Sequence, residues 1–238
     1  MTNRSHLYQR DKIMPLPTFF NLPEEKRQLL LDCAMDEFAR HDYNTASISQ
    51  IVARAGIAKG SLYQYFVNKQ DLHRYLLELA AQKKAECMAE ITAPVAGASV
   101  FETLRFMCEA ALTFELRYPR LAQIGYRAIN GNAPLPEETL TAARQSSRQY
   151  FSVLIEQGKQ RGEIRASVDS DLAACVLVNA LGGMNDYLKS RGLYDPNSDH
   201  PEALAHAHTA EIKNAFDQIT AMLRGGIASE SIKREDNQ

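Results

Sequence analysis

AGIAKGSLYQYFVNK, residues 55–69, sets two glycines, two tyrosines, a glutamine and two lysines within fifteen positions. Just upstream, Ser47 is placed to cap a short helix carrying Ile48, Ile51 and Val52, which stops at Gly56. A second short helix begins near Ala58 and ends near Phe66. Roughly three residues around the glycine separate them, which is the spacing of a helix-turn-helix, where glycine lets the chain turn sharply. Ile51, Val52, Ala55, Ile57, Leu62 and Phe66 supply an apolar face that must point at a preceding helix. Lys59, Gly60, Ser61, Tyr63, Gln64 and Tyr65 are left mostly outward.

The outward set has the chemistry of a duplex reader. Gln64 can bond an adenine edge bidentately, Lys59 can reach guanine or phosphate, and Ser61 can serve either. Glycine at 60 costs a helix about 1 kcal/mol against alanine, and close approach of the backbone to a neighbour would justify it. Tyr63, Tyr65 and Lys69 suit phosphate contacts that fix register. Thr45 and Ser47, ahead of the first short helix, can clamp another phosphate. Asn68 and Lys69 open a further helix whose N–H groups favour an anion.

Residues 23–72 resemble the DNA-binding domain of the TetR family of bacterial transcriptional regulators. The matching residues are Ala34, Phe38 and SISQIVARAGIAKGSLYQYFVNKQDL at 47–72, above all Gly56-Ile57, Gly60, Tyr63, Phe66 and Lys69. The resemblance implies that Lys59, Gly60, Ser61 and Gln64 face bases and that Thr45, Ser47, Tyr63, Tyr65 and Lys69 hold the DNA backbone. It further implies double-stranded operator DNA and a second copy of the chain as partners. The RGEIR turn at 161–165 is also familiar from the family. TFFNLPEEKR at 18–27 resembles a subset that senses fatty acids or their CoA esters.

The rest of the 238-residue chain is helical in pattern, with no βαβ rhythm. Pro23, Glu24 and Glu25 open a helix over about 23–41, in which Leu29, Leu30, Cys33, Ala34, Glu37 and Phe38 keep 3/4 spacing. Another runs from Lys69 to about Ile91, and five more cover about 99–117, 120–129, 136–160, 169–190 and 201–224. The expectation is an all-α protein of about nine helices. An extended N-terminal arm, 1–22, precedes a helix-turn-helix domain, 23–68; a helical ligand-binding and dimerisation domain, 69–224, is followed by a flexible tail, 225–238. Charge follows the same division: residues 1–84 hold 12 Lys and Arg against 9 Asp and Glu, residues 85–238 hold 15 against 20. A mildly basic front and an acidic back suit a polyanion-binding module joined to a body with another task.

In that body, helices carrying Phe101, Leu104, Phe106, Met107, Leu112, Phe114, Tyr118, Ile124, Tyr126, Tyr150, Phe151 and Leu154 are core stripes by default. The resemblance implies a mostly apolar effector cavity among them; the residues expected to line it are Phe106, Met107, Phe114, Ile124, Tyr126, Phe151, Leu154 and Met184. A helix-turn-helix contacts few base pairs, so a dimer spanning two half-sites is expected. Apolar helices near the end of the chain, with a Gly182-Gly183 pair, place its interface at Leu181, Gly182, Met184, Phe216, Ile219 and Leu223. The alternative is a DNA-binding or architectural protein of the same fold without a small-molecule effector.

Other classes find little support. No GxSxG, HExxH or P-loop occurs. His206 and His208, near Asp199 and His200, stand two apart and so point from different helix faces, which does not make a metal site. Cys33, Cys87, Cys108 and Cys175 are widely spaced and read as small reduced core residues. The polar start MTNRSHLYQRDK does not resemble a secretory signal, and no apolar run reaches the ~20 residues of a membrane span. The expected location is therefore the cytoplasm, with no catalytic residues, cofactor, metal or membrane partner.

Overall fold

A computed structural model describes residues 15–90, 97–131, 133, 137–195, 198 and 201–227. Among them there are helices and no strand, and no helix is long and apolar enough to cross a membrane. The chain divides into two compact units, residues 1–82 with 120–134 and residues 83–119 with 135–238.

The first unit contains α1 (Pro17–Phe20), α2 (Glu24–Arg40), α3 (Ile48–Arg54), α4 (Lys59–Leu62), the start of α5 (Lys69–Glu90) and nearly all of α7 (Pro119–Asn130). Helix α2 begins after Pro23 with two glutamates in its first turn, where acids complement the helix dipole. It buries Leu30, Leu31, Cys33, Ala34, Met35, Glu37 and Phe38, while Leu29 stays exposed. Ser47 caps α3, its hydroxyl accepting from Gln50 N–H at 3.4 Å. Asn68 starts α5, its side-chain oxygen accepting from Asp71 N–H at 2.9 Å. The third helix is shorter than the 58–66 expected: α4 proper is four residues, and Tyr63–Tyr65 continue as turns. Nor is the lead-in wholly extended, since Pro17 at a first-turn position opens the helical turn α1.

The second unit holds the end of α5, then α6 (Val100–Arg117), α8 (Glu137–Gln160), α9 (Ser170–Gly182), α10 (Met184–Ser190), α11 (Pro201–Ala207) and α12 (Thr209–Ile227). Two apolar clusters fill it. One joins Val100, Phe101, Leu104, Phe151, Leu154, Ile155, Ile164, Ala174 and Leu177; the other joins Cys108, Leu112, Met184, Leu188, Tyr194, Ile212 and Phe216. The helix expected over 169–190 is interrupted at Gly183, where two successive glycines weaken the helical preference. That over 201–224 breaks at His208, beside the Thr209 hydroxyl bonded to the His206 carbonyl at 3.0 Å. Helix α12 runs past the expected start of the tail at 225, because Arg165 bonds its last turn: Arg165 N–H meets the Ile227 carbonyl at 3.1 Å and its guanidinium meets that of Gly226. Residues 228–238 lie outside the described residues, as do 1–14.

The RGEIR turn has a job for each residue. Gly162 adopts φ 72°, the left-handed region that glycine enters freely. The buried Glu163 carboxylate accepts the Val100 N–H at 2.6 Å, satisfying a free donor at the start of α6, and takes a second bond from Arg161 Nε at 2.6 Å. Ile164 enters the first cluster. One turn earlier, a Cβ on Gly158 would stand 2.4 Å from Val100 Cγ2 and 3.0 Å from Ile164 Cδ1. Alanine normally stabilises a helix interior by about 1 kcal/mol over glycine. Here the clash decides the sign: Gly158→Ala should destabilise the protein by about 1–3 kcal/mol in chemical denaturation.

Candidate nucleic-acid interface

Helix α4 is positioned from behind. Leu62 and Phe66 are 1% and 0% exposed, and Ile51 and Val52 of α3 are buried likewise, whereas Ile57 is only half-buried. Gly56 turns the chain at φ 66°, and Ile57 N–H bonds the Val52 carbonyl at 3.0 Å across the turn. These contacts leave Lys59, Gly60, Tyr63 and Gln64 exposed, with Ser61 and Tyr65 half-buried. Lys59 Nζ lies 3.4 Å from Ser49 Oγ of α3. Gly60 is the informative position. Its φ is not positive, and a Cβ built there meets nothing within 4 Å, so neither backbone conformation nor internal packing asks for glycine.

Thr45 and Ser47 sit on the loop into α3. Thr45 is exposed, its hydroxyl donating to the Asp42 carbonyl at 3.1 Å. Ser47 is held by its backbone: its N–H donates to the Glu37 carboxylate at 2.7 Å, a side chain 6% exposed within the buried face of α2. Lys69 points inward. Its ammonium donates to the Ala46 carbonyl at 2.6 Å and the Asn44 carbonyl at 3.5 Å, and sits 4.6 Å over the Tyr43 ring. Burial lowers its pKa, against a raising effect of the Glu37 charge. Lys69 thus shapes the loop that presents Thr45 and Ser47.

Charged residues outside the expected set tie this unit together. Asp36 of α2 accepts from Arg54 of α3 and, at 2.8 Å, from Arg120 of α7, which also reaches Asp32 at 3.1 Å. Burial opposes the charge on Asp36, but hydrogen bonds from both arginines prevail and hold its pKa below the ordinary value. Arg127 of α7 meets Asp42 at 2.6 Å. Alongside lies a small hollow lined by Phe38, His41, Asp42, Tyr43, His73, Arg127, Ala128 and Ala133. His73 packs between Phe38 and Tyr43, ring centroids 5.0 and 5.1 Å away. Glu37 stood in the apolar row of its helix, a carboxylate where a core residue belongs, and that was its signal. Nothing local in the sequence marks Asp36 or Arg120, which meet across 84 positions.

The residues expected to line an effector cavity belong to both units. Ile124 and Tyr126 belong to the first unit and the other six to the second. Within the second, Phe151 and Leu154 enter one cluster, with Met107 packed against it, while Met184 enters the other; Phe114 is buried and Phe106 half-buried. Two of the expected interface residues are packed inside the single chain. Met184 and Phe216, 4% and 7% exposed, are core within their own protomer, because the break at Gly183 and the packing of α12 on α6 turn them inward. Leu181, Ile219 and Leu223 are half-buried and Gly182 is exposed. The large apolar side chains these helices expose are instead Leu172, Val176, Tyr187 and Met222. The four cysteines are free thiols; Cys33, Cys87 and Cys108 are buried and Cys175 is half-buried.

A family model described as bacterial regulatory proteins, tetR family, matches residues 30–76, and one described as the tetracyclin repressor-like C-terminal domain matches residues 98–228. A crystal structure of a TetR family transcriptional regulator from Chloroflexus aurantiacus J-10-fl superimposes with TM-score 0.82 at 38% identity, covering 92% of this chain and all of that one. The fatty acid metabolism regulator protein of Bacillus subtilis is 25% identical over 62% of this chain and 75% of its own length. The HTH-type transcriptional repressor BepR of Brucella suis is 24% identical over 72% of this chain and 84% of its own length.

The hollow yields a pH dependence. Burial, with the nearby Lys69 charge, depresses the pKa of His73 from 6.5 to about 4. The unfolded chain therefore binds more protons than the native one between pH 6.5 and 4, and stability falls as pH drops through that window. Going from pH 7 to pH 5 should cost about 2 kcal/mol through this group. Denaturant titrations at the two pH values, on the wild type and on His73→Phe, check it: the variant should lose that share of the slope.

Proposed function

Because the chain belongs to the TetR family of bacterial transcriptional regulators, we propose that it is a dimeric, cytoplasmic repressor that reads operator DNA through α4 and releases it when a small, largely apolar effector binds. The observation that carries the DNA reading is the exposed surface of α4 and its following turn, above all a glycine at 60 that the protein itself does not need. A duplex approaching the backbone is the neighbour that would use it. Lys59, Gly60, Ser61 and Gln64 face bases; Tyr63, Tyr65, Thr45 and Ser47 hold phosphates. Lys69 contributes through the 43–47 loop as well as by its charge. The proposed domains are a DNA-binding head over 23–68 and a ligand-binding and dimerisation body over 69–224.

Dimerisation is assigned to α9, α10 and α12, with Leu172, Val176, Tyr187 and Met222 now joining Leu181, Gly182, Ile219 and Leu223. An apolar stripe at 172 and 176 on a helix with small residues at 182 and 183 suits close helix pairing. The effector reading draws on the aromatic side chains of α6 and α8, with Met107, and on the likeness to the fatty acid metabolism regulator protein of Bacillus subtilis. Helix α5 supplies residues to both units, so an effector that prefers one inclination of α5 would bias the separation of two reading heads. A coupling of about 1–3 kcal/mol would change operator affinity about 5–150-fold.

Three measurements test this. Affinity for duplex DNA should fall steeply and linearly with log salt concentration, as several phosphates are neutralised. Gln64→Ala should erase about 1–3 kcal/mol of base preference at one position of a selected operator, whereas Tyr63→Phe should weaken all duplexes alike. Equal loss on every sequence for both variants would refute the division of roles. Titrating fatty acids and acyl-CoA esters of eight to eighteen carbons against the protein–operator complex should release the DNA; no release across the series would favour the same fold acting without such an effector.

A further inference from the structure

The lead-in before α2 has no part in the duplex-reading set, and the family's DNA-binding match begins only at residue 30. It is nevertheless fastened to the reading turn. Leu16 N–H donates to the Tyr65 carbonyl at 2.9 Å, and the Thr18 hydroxyl donates to the Gln64 carbonyl. Phe19 between and beyond them is fully buried, its ring 5.1 Å from Phe66, 5.5 Å from Tyr75 and 6.3 Å from Tyr65. Arg27 of α2 secures the far end through the Phe20 carbonyl at 3.3 Å.

The position of these bonds matters more than their number. Helix α4 ends at Leu62, so the carbonyls of Gln64 and Tyr65 lie beyond it and find no partner by helix continuation. From the other side, Gln64 N–H bonds the Ser61 carbonyl at 3.0 Å and Tyr65 N–H bonds that of Leu62 at 2.9 Å. The peptide group between Gln64 and Tyr65 is therefore gripped at both ends, its N–H by α4 and its carbonyl by Thr18, while the peptides before and after it are held at the Gln64 N–H and the Tyr65 carbonyl. A glutamine reaching a base edge bidentately tolerates little rotation of its backbone. We propose that Leu16–Phe20 is a brace for the reading turn, in which Phe19 is the anchor and Thr18 the residue that orients Gln64. Both are positioning residues for base selection, and the proposal rests on the duplex-reading role of that turn.

Thr18 is exposed, so its hydroxyl can be removed without opening the core. The test uses the full chain and two duplexes of equal length, one enriched by the wild type from a randomised pool and one scrambled. Thr18→Val should reduce the ratio of the two affinities about 3–10-fold, the scale of one hydrogen bond's orienting effect, with scrambled-duplex affinity and melting temperature unchanged. Thr18→Ser should restore the ratio. Phe19→Leu should lower the ratio together with the melting temperature. A wild type that enriches a sequence while Thr18→Val keeps its ratio, or loses equally on both duplexes, overturns the brace alone. Phe19→Leu that melts earlier yet keeps the ratio overturns the anchor's part in selection. A wild type that enriches no sequence overturns the duplex reading and the brace with it.

Discussion

A four-residue helix cannot hold its own shape in water. Helix nucleation is unfavourable, and isolated helices shorter than roughly a dozen residues are marginal even in good sequences. Lys59–Leu62 is ordered because Leu62 and Phe66 are buried against its neighbours, and because the turn at Gly56 delivers it there. The remaining features of the first unit follow from that dependence. Glu37 fixes the cap of α3 by accepting the Ser47 N–H; Lys69 fixes the loop before it; Asp36 joins α3 and α7 through two arginines. A helix this short owes its geometry wholly to tertiary contacts.

That dependence explains what was legible in the sequence. Ser47, Gly56, Leu62, Phe66 and Asn68 are local signals: a cap, a turn residue, an apolar pair and a second cap, each recognisable within a few positions. Their order was enough to place the helix-turn-helix and, with the 3/4 patterns, the all-α class. The tertiary partners were harder. A lysine reads as surface until a carbonyl cage and an aromatic ring are found around it, as with Lys69. Asp36 and Arg120 look like ordinary solvated charges until the chain brings them together. Phe19 lay in a proline-flanked stretch that reads as extended, and only the hydrophobic slot beside Phe66 shows why it is there.

The second unit repeats the lesson at lower resolution. Period-3.6 patterns located its helices, but apolar residues such as Met184 and Phe216 carry no mark that distinguishes a protomer's own core from a surface shared with a second copy. A break of one residue at Gly183 separates α9 from α10, and the paired glycines that weaken the helix there were read instead as a site of close helix approach. Glu163 is the counterexample. It lies in the RGEIR turn that the resemblance picked out, and its carboxylate accepts the Val100 N–H at the start of α6.

The proposed base-facing side chains and the residues that hold α4 in place are largely different residues. Leu62, Phe66 and Gly56 carry the geometry by burial and by the turn, while the Lys59 and Gln64 side chains stay exposed and Ser61 is half-buried. Exposed substitutions away from caps and cores usually change stability by no more than about 0.5 kcal/mol. The positions that would determine which sequence is recognised can therefore vary almost independently of those that keep the protein folded. Such a scaffold can acquire a new target by drift in three or four side chains, without first passing through an unstable ancestor.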